Sequence, residues 1–405
     1  MLEGMRFGGM VGLSVVVSLS ACGGDGASGS GSGTEGSSGE APTTTAEGPT
    51  TSGASASASG GGSSSGFDAS SSTGTAPVAS SSGAADGSSS GGERDDAPFE
   101  DCYEGVFVNG FPGINYDSYE LPIGSHCYGT DIQDIDDIDR VVFLGDSVTV
   151  GTPPTGIANY YRNVLADALA DRFALSFGSN KALWQTPDVF NGTSVVRESG
   201  DFASCAEWGA RTDDLLEGGN QIENCYPEDT RDLTTLTIIT AGGNDLARIA
   251  QETGEGAETA VAWDIAESAV DHMRNSAVWL KDEQNFPNGH YVVFANVYEF
   301  TDGTGLVESC NLSGLAGFDP IESLGDALLV IGWIEDQYAQ IARDTGADFI
   351  FLFEEFMGHG FLHDEPTAAG YRGPGNANWF DLTCIHPNPT GHNVIADMFL
   401  ATVAE

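Results

Sequence analysis

Positive charge is scarce in this sequence. The chain of 405 residues has 14 lysines and arginines against 60 aspartates and glutamates, and its formal net charge is −46 at pH 7. Only two of the basic residues are lysines, Lys181 and Lys281. Because a phosphate backbone would be repelled by such a chain, the composition argues strongly against a nucleic-acid partner and against direct docking on anionic lipid head groups.

Long apolar runs are also lacking. The one early run, at 10–19, follows Arg6 and has the length of the apolar part of an export signal, and no later run is long enough to span a bilayer. It ends in Leu19-Ser20-Ala21-Cys22, which resembles the bacterial lipobox. We therefore expect 1–22 to be a lipoprotein signal peptide and Cys22 to be lipidated. The protein would then be exported and lipid-anchored in the cell envelope, at the outer membrane or cell surface. The alternative is a plain secretory signal with an incidental cysteine.

Large side chains are missing from residues 23–97, which are nearly all Gly, Ser, Ala and Thr apart from Phe67. Such a segment cannot offset the entropy of ordering, so we predict a disordered linker between the anchor and the domain that follows. The G-x-S-x-G match at 62–66 within it has no preceding strand and no following helix, and we do not interpret it as a catalytic motif.

Cysteine pairs with C-x-x-C spacing are absent, which argues against a zinc or thioredoxin-like site. Apart from Cys22 there are six cysteines, an even number that in an exported domain predicts three disulfides with 15 possible connectivities. Closeness in sequence favours Cys102–Cys127, Cys205–Cys225 and Cys310–Cys384.

Residues 98–139 look irregular, and we interpret them as a disulfide-stapled N-terminal extension. From 140 to 405, apolar runs alternate with segments of helical periodicity, which predicts a mostly parallel sheet covered on both faces. The predicted strands are 141–144, 236–240, 291–295 and 349–353, with a weaker one near 202–208. The predicted helices are 156–173, 257–280, 321–342 and 389–403.

Polar residues follow two of the predicted strands, at the carboxyl ends where a parallel sheet places its chemistry, and a histidine precedes the last helix. The first strand leads into Gly145-Asp146-Ser147 and the second into Gly242-Gly243-Asn244-Asp245, while His386 lies in the loop before the last helix. Each is weak evidence alone, since Gly and Asn are common in turns and a lone histidine is usually structural. Together they supply a hydroxyl nucleophile, a donor for an oxyanion and a base that works near neutral pH.

These motifs, in this order, resemble those of the SGNH (GDSL-type) hydrolases over 140–405. The resemblance implies a three-layer α/β/α sandwich of about five strands, with Ser147 as nucleophile and His386 as base. It also implies an oxyanion hole formed by the N–H groups of Ser147 and Gly209 and the side chain of Asn244. Gly209, in Glu207-Trp208-Gly209-Ala210-Arg211-Thr212, is the weakest of these matches.

The activity implied is that of a serine esterase working through an acyl-enzyme on a small-molecule, lipid or carbohydrate ester, as a monomer, without cofactor or metal. Two alternatives stay open. One is a polysaccharide O-deacetylase of the same fold. The other is a non-catalytic surface lipoprotein that binds carbohydrate or a protein partner.

The chain departs from the family at one position. Where the family usually has an aspartate three residues before the histidine, this sequence has Thr383, and the nearest carboxylate is Asp381. We favour Asp381 as the residue that orients His386, through a bend in the loop. The alternatives are a backbone carbonyl near Thr383, or a Ser–His dyad in which Asp381 only closes the loop.

A second group of residues could suggest a metal cluster but lacks H-E-x-x-H spacing. We interpret its members as residues of a connecting loop that line the cleft: Glu354, Glu355, His359 and His363.

Overall fold

The computed structural model describes residues 98–321 and 323–405. The predicted signal peptide with Cys22 and the predicted linker at 23–97 lie outside the described residues.

The sheet is formed by short, fully buried strands. The main sheet has six strands in the spatial order β4-β5-β1-β6-β7-β8. Strands β5, β1, β6, β7 and β8 run parallel, and β4 pairs antiparallel with β5 at one edge. β2 and β3 form a separate hairpin. The strands are β1 (Arg140–Gly145), β2 (Pro187–Asp188), β3 (Thr193–Ser194), β4 (Glu198–Ser199), β5 (Phe202–Ser204), β6 (Thr235–Thr240), β7 (His290–Ala295) and β8 (Asp348–Ile350).

Helices connect the strands and cover the sheet. They are α1 (Phe99–Cys102), α2 (Ser147–Val150), α3 (Tyr161–Phe173), α4 (Lys181–Gln185), α5 (Asp213–Leu216), α6 (Gln221–Cys225), α7 (Gly243–Gly254), α8 (Thr259–Leu280), α9 (Leu324–Thr345), α10 (Leu352–Phe356) and α11 (Pro389–Ala404). Short 3₁₀ turns lie at Tyr116–Tyr119, Ile157–Asn159, Glu228–Thr230, Val307–Ser309 and Ser313–Leu315.

Two apolar clusters lie on opposite faces of the sheet. Successive side chains of a strand point to opposite faces, so Val142 and Leu144 join the cluster that contains buried residues of α8 and α9. Val141 and Phe143 join the cluster that contains those of α3 and α11. Helices therefore cover both faces, and the predicted α/β/α sandwich with a mostly parallel sheet is confirmed.

Several elements differ from the prediction. The strand predicted at 349–353 ends at Ile350, whose register partner Ala295 is the last residue of β7. The backbone N–H of Phe353 then donates to the side-chain oxygen of Asn296, 2.8 Å away, as α10 begins. The sequence analysis did not predict α7, nor the short elements α1, α2, α4, α5, α6, α10, β2, β3 and β4, and α3 begins at Tyr161 where the predicted helix began at 156.

The N-terminal extension packs into the same core as the sheet. Phe99, Tyr103 and Tyr116 are buried in the cluster that contains α8 and α9. The Cys102–Cys127 disulfide closes this extension, and Cys205–Cys225 and Cys310–Cys384 are also formed, as predicted from their closeness in sequence. Of the helices described, none has the length and apolar character needed to cross a membrane.

We predict that removing the Cys102–Cys127 bridge destabilises the protein. Closing a loop of 25 residues restricts the unfolded chain, so the variant Cys102→Ala/Cys127→Ala should lose about 3 kcal/mol of unfolding free energy. For a domain of this size that corresponds to a melting temperature about 5 °C lower in calorimetry. The oxidised wild-type protein is the reference, and an unchanged melting temperature in the variant would contradict the prediction.

Candidate active site

Ser147 is placed by a sharp turn at the end of β1. Gly145 has φ +126°, and a Cβ at this position would lie 1.9 Å from the carbonyl oxygen of Thr240 on β6, so only glycine fits. Asp146 then caps α2 by accepting a hydrogen bond from the backbone N–H of Val148 at 2.9 Å. The chain thus passes from strand to helix within two residues, and Ser147 begins the helix at the carboxyl edge of the sheet.

His386 is held by a closed loop before α11. The backbone N–H of Asp381 donates to the carbonyl of His386 at 2.9 Å, which draws the two ends of the loop together. Cys384, inside the loop, has φ +72° and is tied by its disulfide to Cys310. In this position Nε2 of His386 lies 2.9 Å from Oγ of Ser147, so the two residues are in hydrogen-bond contact.

The other ring nitrogen faces Thr383. The hydroxyl oxygen of Thr383 lies 2.8 Å from Nδ1 of His386 and 2.6 Å from Oδ1 of Asp381. The backbone N–H of Thr383 also donates to Oδ1 of Asp381, at 2.7 Å. Asp381 therefore reaches the imidazole through a hydroxyl group, an arrangement that none of the sequence-based alternatives included.

Asn244 lies in the first turn of α7, at the same edge of the sheet. Its side-chain amide donates one hydrogen bond to the carbonyl of Ala210 at 2.8 Å, and an amide group has a second N–H. The loop containing Gly209 runs beside α2, where the indole N–H of Trp208 donates to the carbonyl of Gly151 at 3.2 Å. Gly209 has φ +78° and precedes the residue that Asn244 contacts.

Ser147, Asn244 and His386 line one cavity of about 110 Å³, whereas Gly209 is not among its described lining residues. The rest of the lining is mostly apolar and comes from separate parts of the chain, including Leu246, Ile249, Phe300, Val307, Phe318 and Ile331. The sequence analysis missed these residues. The sequence positions of some lining residues could have indicated them. Leu246 and Ile249 are three residues apart directly after the Gly-Gly-Asn motif, and Ile385 is next to His386.

Burial controls the protonation of the site. It lowers the pKa of His386 to about 4, so the imidazole is neutral near pH 7 and can accept a proton. Burial also raises the pKa of Asp146 to about 7, a shift that the Val148 N–H opposes and nearby Asp245 reinforces. Burial raises the pKa of Asp381 above its usual value, and the hydrogen bonds from Thr383 oppose part of this shift.

None of the four residues weighed as a metal cluster lines the cavity. Glu354 and Glu355 lie on α10, not in a loop. His359 stacks on Trp379 with ring centroids 3.4 Å apart, and Nδ1 of His363 lies 2.9 Å from the carbonyl of Gly360. Over 98–321 and 323–405, no group of three His, Cys, Asp or Glu side chains is arranged to hold a metal ion.

Residues 141–305 match the family model of GDSL-like lipases and acylhydrolases. This match confirms the resemblance drawn from the motifs and supports hydrolysis of acyl esters in general terms.

Several solved structures are similar to this chain at low identity. Phospholipase A1 from Streptomyces albidoflavus NA297 is 15% identical, with 66% of this chain and 98% of that chain covered and a TM-score of 0.38. An extracellular lipase from Streptomyces rimosus is 18% identical, with 65% and 98% covered and a TM-score of 0.34. The psychrotrophic esterase EstA from Pseudoalteromonas sp. is 13% identical, with 66% and 97% covered and a TM-score of 0.35. No curated protein sequence matches the chain.

We predict that His386 stays neutral in the folded protein until the pH falls to about 4. Nitrogen-15 NMR of the histidine side chains measures this, with His386→Gln to assign the signal and the urea-unfolded chain, titrating near pH 6.5, as the reference. Since the unfolded chain takes up this proton at higher pH, the contribution of His386 to the free energy of unfolding falls as the pH drops from about 6.5 to about 4. A folded-state titration at pH 6 to 7 would contradict the burial argument.

Proposed function

We propose that this protein is a serine esterase that hydrolyses carboxylic esters with an apolar acyl group. The observation that carries the proposal is the 2.9 Å contact between Oγ of Ser147 and Nε2 of His386 at the wall of an apolar cavity. A neutral histidine beside a serine hydroxyl can remove its proton as the hydroxyl attacks, which makes an otherwise weak nucleophile reactive.

In the proposed mechanism, Oγ of Ser147 attacks the ester carbonyl carbon while Nε2 of His386 takes the hydroxyl proton. The backbone N–H groups of Ser147 and Gly209 and the side-chain amide of Asn244 stabilise the oxyanion that forms. The carbon–oxygen bond to the alcohol then breaks, and His386 returns the proton to the departing oxygen. His386 next deprotonates a water molecule that attacks the acyl-serine, and the proton passes back to Ser147 as the acid leaves.

The cavity favours an acyl chain over an acetyl group. Its lining is mostly aliphatic and aromatic, so each methylene buried there contributes about 0.8 kcal/mol. A cavity of about 150 Å³ can hold benzene, and by that comparison about 110 Å³ suits a chain of roughly four to six carbons. An acetyl group would leave most of this surface unfilled, which makes the O-deacetylase the weaker alternative.

We predict that the full chain hydrolyses p-nitrophenyl butyrate and hexanoate with a kcat/KM about tenfold or more above that for the acetate, because two or more additional methylenes are buried. Ser147→Ala should abolish turnover of all three esters. Highest activity on the acetate would favour the deacetylase. No hydrolysis of any ester by the folded, oxidised protein would favour the non-catalytic binding protein.

A pair of variants tests whether the acyl chain binds in this cavity. Ala247 on α7 lines the cavity, whereas its neighbour Arg248 is exposed. Ala247→Phe should fill part of the cavity and lower kcat/KM for the hexanoate more than for the acetate, and Arg248→Phe is the matched control. Equal losses on both esters would place the acyl chain elsewhere.

We also propose that the protein is exported and anchored to a bacterial membrane by a lipid on Cys22, a residue outside the described structure. The lipobox-like sequence at 19–22, directly after the apolar run, supports this proposal.

Cys22→Ser should move the protein from the membrane fraction to the soluble fraction of the expressing bacterium and abolish incorporation of radiolabelled palmitate. The matched control is Ser20→Ala, which keeps the cysteine and a small residue before it. Equal membrane association of the wild-type and Cys22→Ser proteins would contradict lipid anchoring.

A further inference from the structure

Thr383 occupies the space between the imidazole and the nearest carboxylate. Its hydroxyl oxygen is 2.8 Å from Nδ1 of His386 and 2.6 Å from Oδ1 of Asp381, so one atom contacts both groups. On the far side of the ring, Nε2 of His386 is 2.9 Å from Oγ of Ser147. Four side chains thus form one continuous hydrogen-bonded row.

The chemistry of these groups fixes the direction of each hydrogen bond. An ionised carboxylate can only accept, and a threonine hydroxyl has a single proton to donate. Thr383 therefore donates to Asp381, and its oxygen lone pair accepts the proton on Nδ1 of His386. With Nδ1 protonated in the neutral ring, Nε2 presents its lone pair to Ser147, which is the tautomer that a general base requires.

The contacts of Asp381 indicate more than closure of the loop. The backbone N–H of Thr383 already donates to Oδ1 at 2.7 Å, and the backbone N–H of Asp381 ties the loop to the carbonyl of His386. The backbone N–H and hydroxyl of Thr367 make the same pair of hydrogen bonds to Glu365 in an exposed turn, so what closure does not explain is the position of the Thr383 hydroxyl against the imidazole. The intervening Leu382 is 72% exposed, so its side chain does not separate the two residues from the ring.

A disulfide and a hydrogen-bonded helix cap hold the row in place. Cys384 follows Thr383 directly, has φ +72°, and is bonded to Cys310 in the segment that also supplies Val307 to the cavity. At the other end of the loop, Asn388 caps α11 by accepting hydrogen bonds from the N–H groups of Thr390 and Gly391. The backbone on both sides of His386 is thereby restrained, which limits the positions that the Thr383 hydroxyl can take.

We propose that Thr383 is a positioning residue whose hydroxyl transmits the effect of Asp381 to His386, so that Ser147, His386, Thr383 and Asp381 act as a unit. The inference deepens the proposed function and rests on it for its effect on turnover. Its structural content, the tautomer of His386, can be measured without any substrate.

The first test is nitrogen-15 NMR of the full chain near pH 7, with His386→Gln to assign the signal. We expect His386 to be protonated at Nδ1 in the wild-type protein and in Thr383→Ser, which retains a hydroxyl. In Thr383→Val, which has nearly the same shape without the hydroxyl, we expect a mixture of the two tautomers. Protonation at Nε2 in the wild-type protein, or an unchanged tautomer in Thr383→Val, would overturn the proposal.

The second test is a double-mutant cycle in kcat. Thr383→Val should lower kcat about 10- to 100-fold with KM changed less than threefold, and Thr383→Ser should recover most of that loss. Asp381→Asn should lower kcat in the wild-type background but by less than about twofold in the Thr383→Val background, because the path to the ring is already broken. Losses that multiply would show that Asp381 acts independently of Thr383.

A third variant restores a carboxylate by another route. Asp381→Asn/Thr383→Asp places an aspartate three residues before His386, the spacing that is usual in the family, and removes the neighbouring charge. We expect its kcat to exceed that of Asp381→Asn/Thr383→Val at least tenfold, whereas equal values would count against a role for these two positions in orienting the ring. Melting temperatures of all variants separate these effects from loss of folding.

Failure of the two proposals can be told apart. A wild-type protein that hydrolyses no ester would refute the proposed function, and the NMR measurement would still decide the role of Thr383. Conversely, an active wild-type enzyme with an unchanged tautomer in Thr383→Val would retain the proposed function and refute the relay.

Discussion

The hydrogen bond between Ser147 and His386 joins residues 239 positions apart, and the strand register makes it possible. Gly145 at the end of β1 pairs with Thr240 at the end of β6, so α2 and α7 begin side by side at the same edge of the sheet. On the histidine side, Nδ1 of His392 in α11 accepts a hydrogen bond from the backbone N–H of Tyr161 in α3. A shift of one residue in β1 would exchange the two buried faces and move Ser147 away from the histidine.

Much of the architecture could be predicted because its signals are local. Runs such as Val141–Leu144 and 291–295 are too short for helices and too apolar for loops, and both are strands in the structure. The end of β8 could not be predicted in this way. The sequence continues as Phe351, Leu352 and Phe353 without a break in apolar character, whereas the strand stops where its neighbour β7 stops, and the N–H of Phe351 donates instead to the carbonyl of Tyr128. Helix α7 was missed for a related reason: its glycine-rich start is also typical of a turn.

The residues of the site also fall into those with a local sequence signal and those without one. Ser147, Asn244 and His386 were singled out by local motifs, and the structure brings them to one cavity. The role of Thr383 could not be foreseen, because it depends on side-chain distances within a loop bent at Cys384. Most of the apolar wall was also not predictable, since Phe300, Phe318 and Ile331 look like ordinary core residues until the fold brings them together.

The central claim is that His386 makes Ser147 a nucleophile beside an apolar acyl site. Reaction of the full chain with an alkyl fluorophosphonate, followed by peptide mass spectrometry and a crystal structure of the product, tests it most directly. The account predicts one phosphonylated residue, Ser147, with the alkyl chain between Ile249, Phe300 and Ile331, and much slower labelling of His386→Gln. Labelling of another residue, no labelling of the folded protein, or an alkyl chain directed into solvent would contradict it.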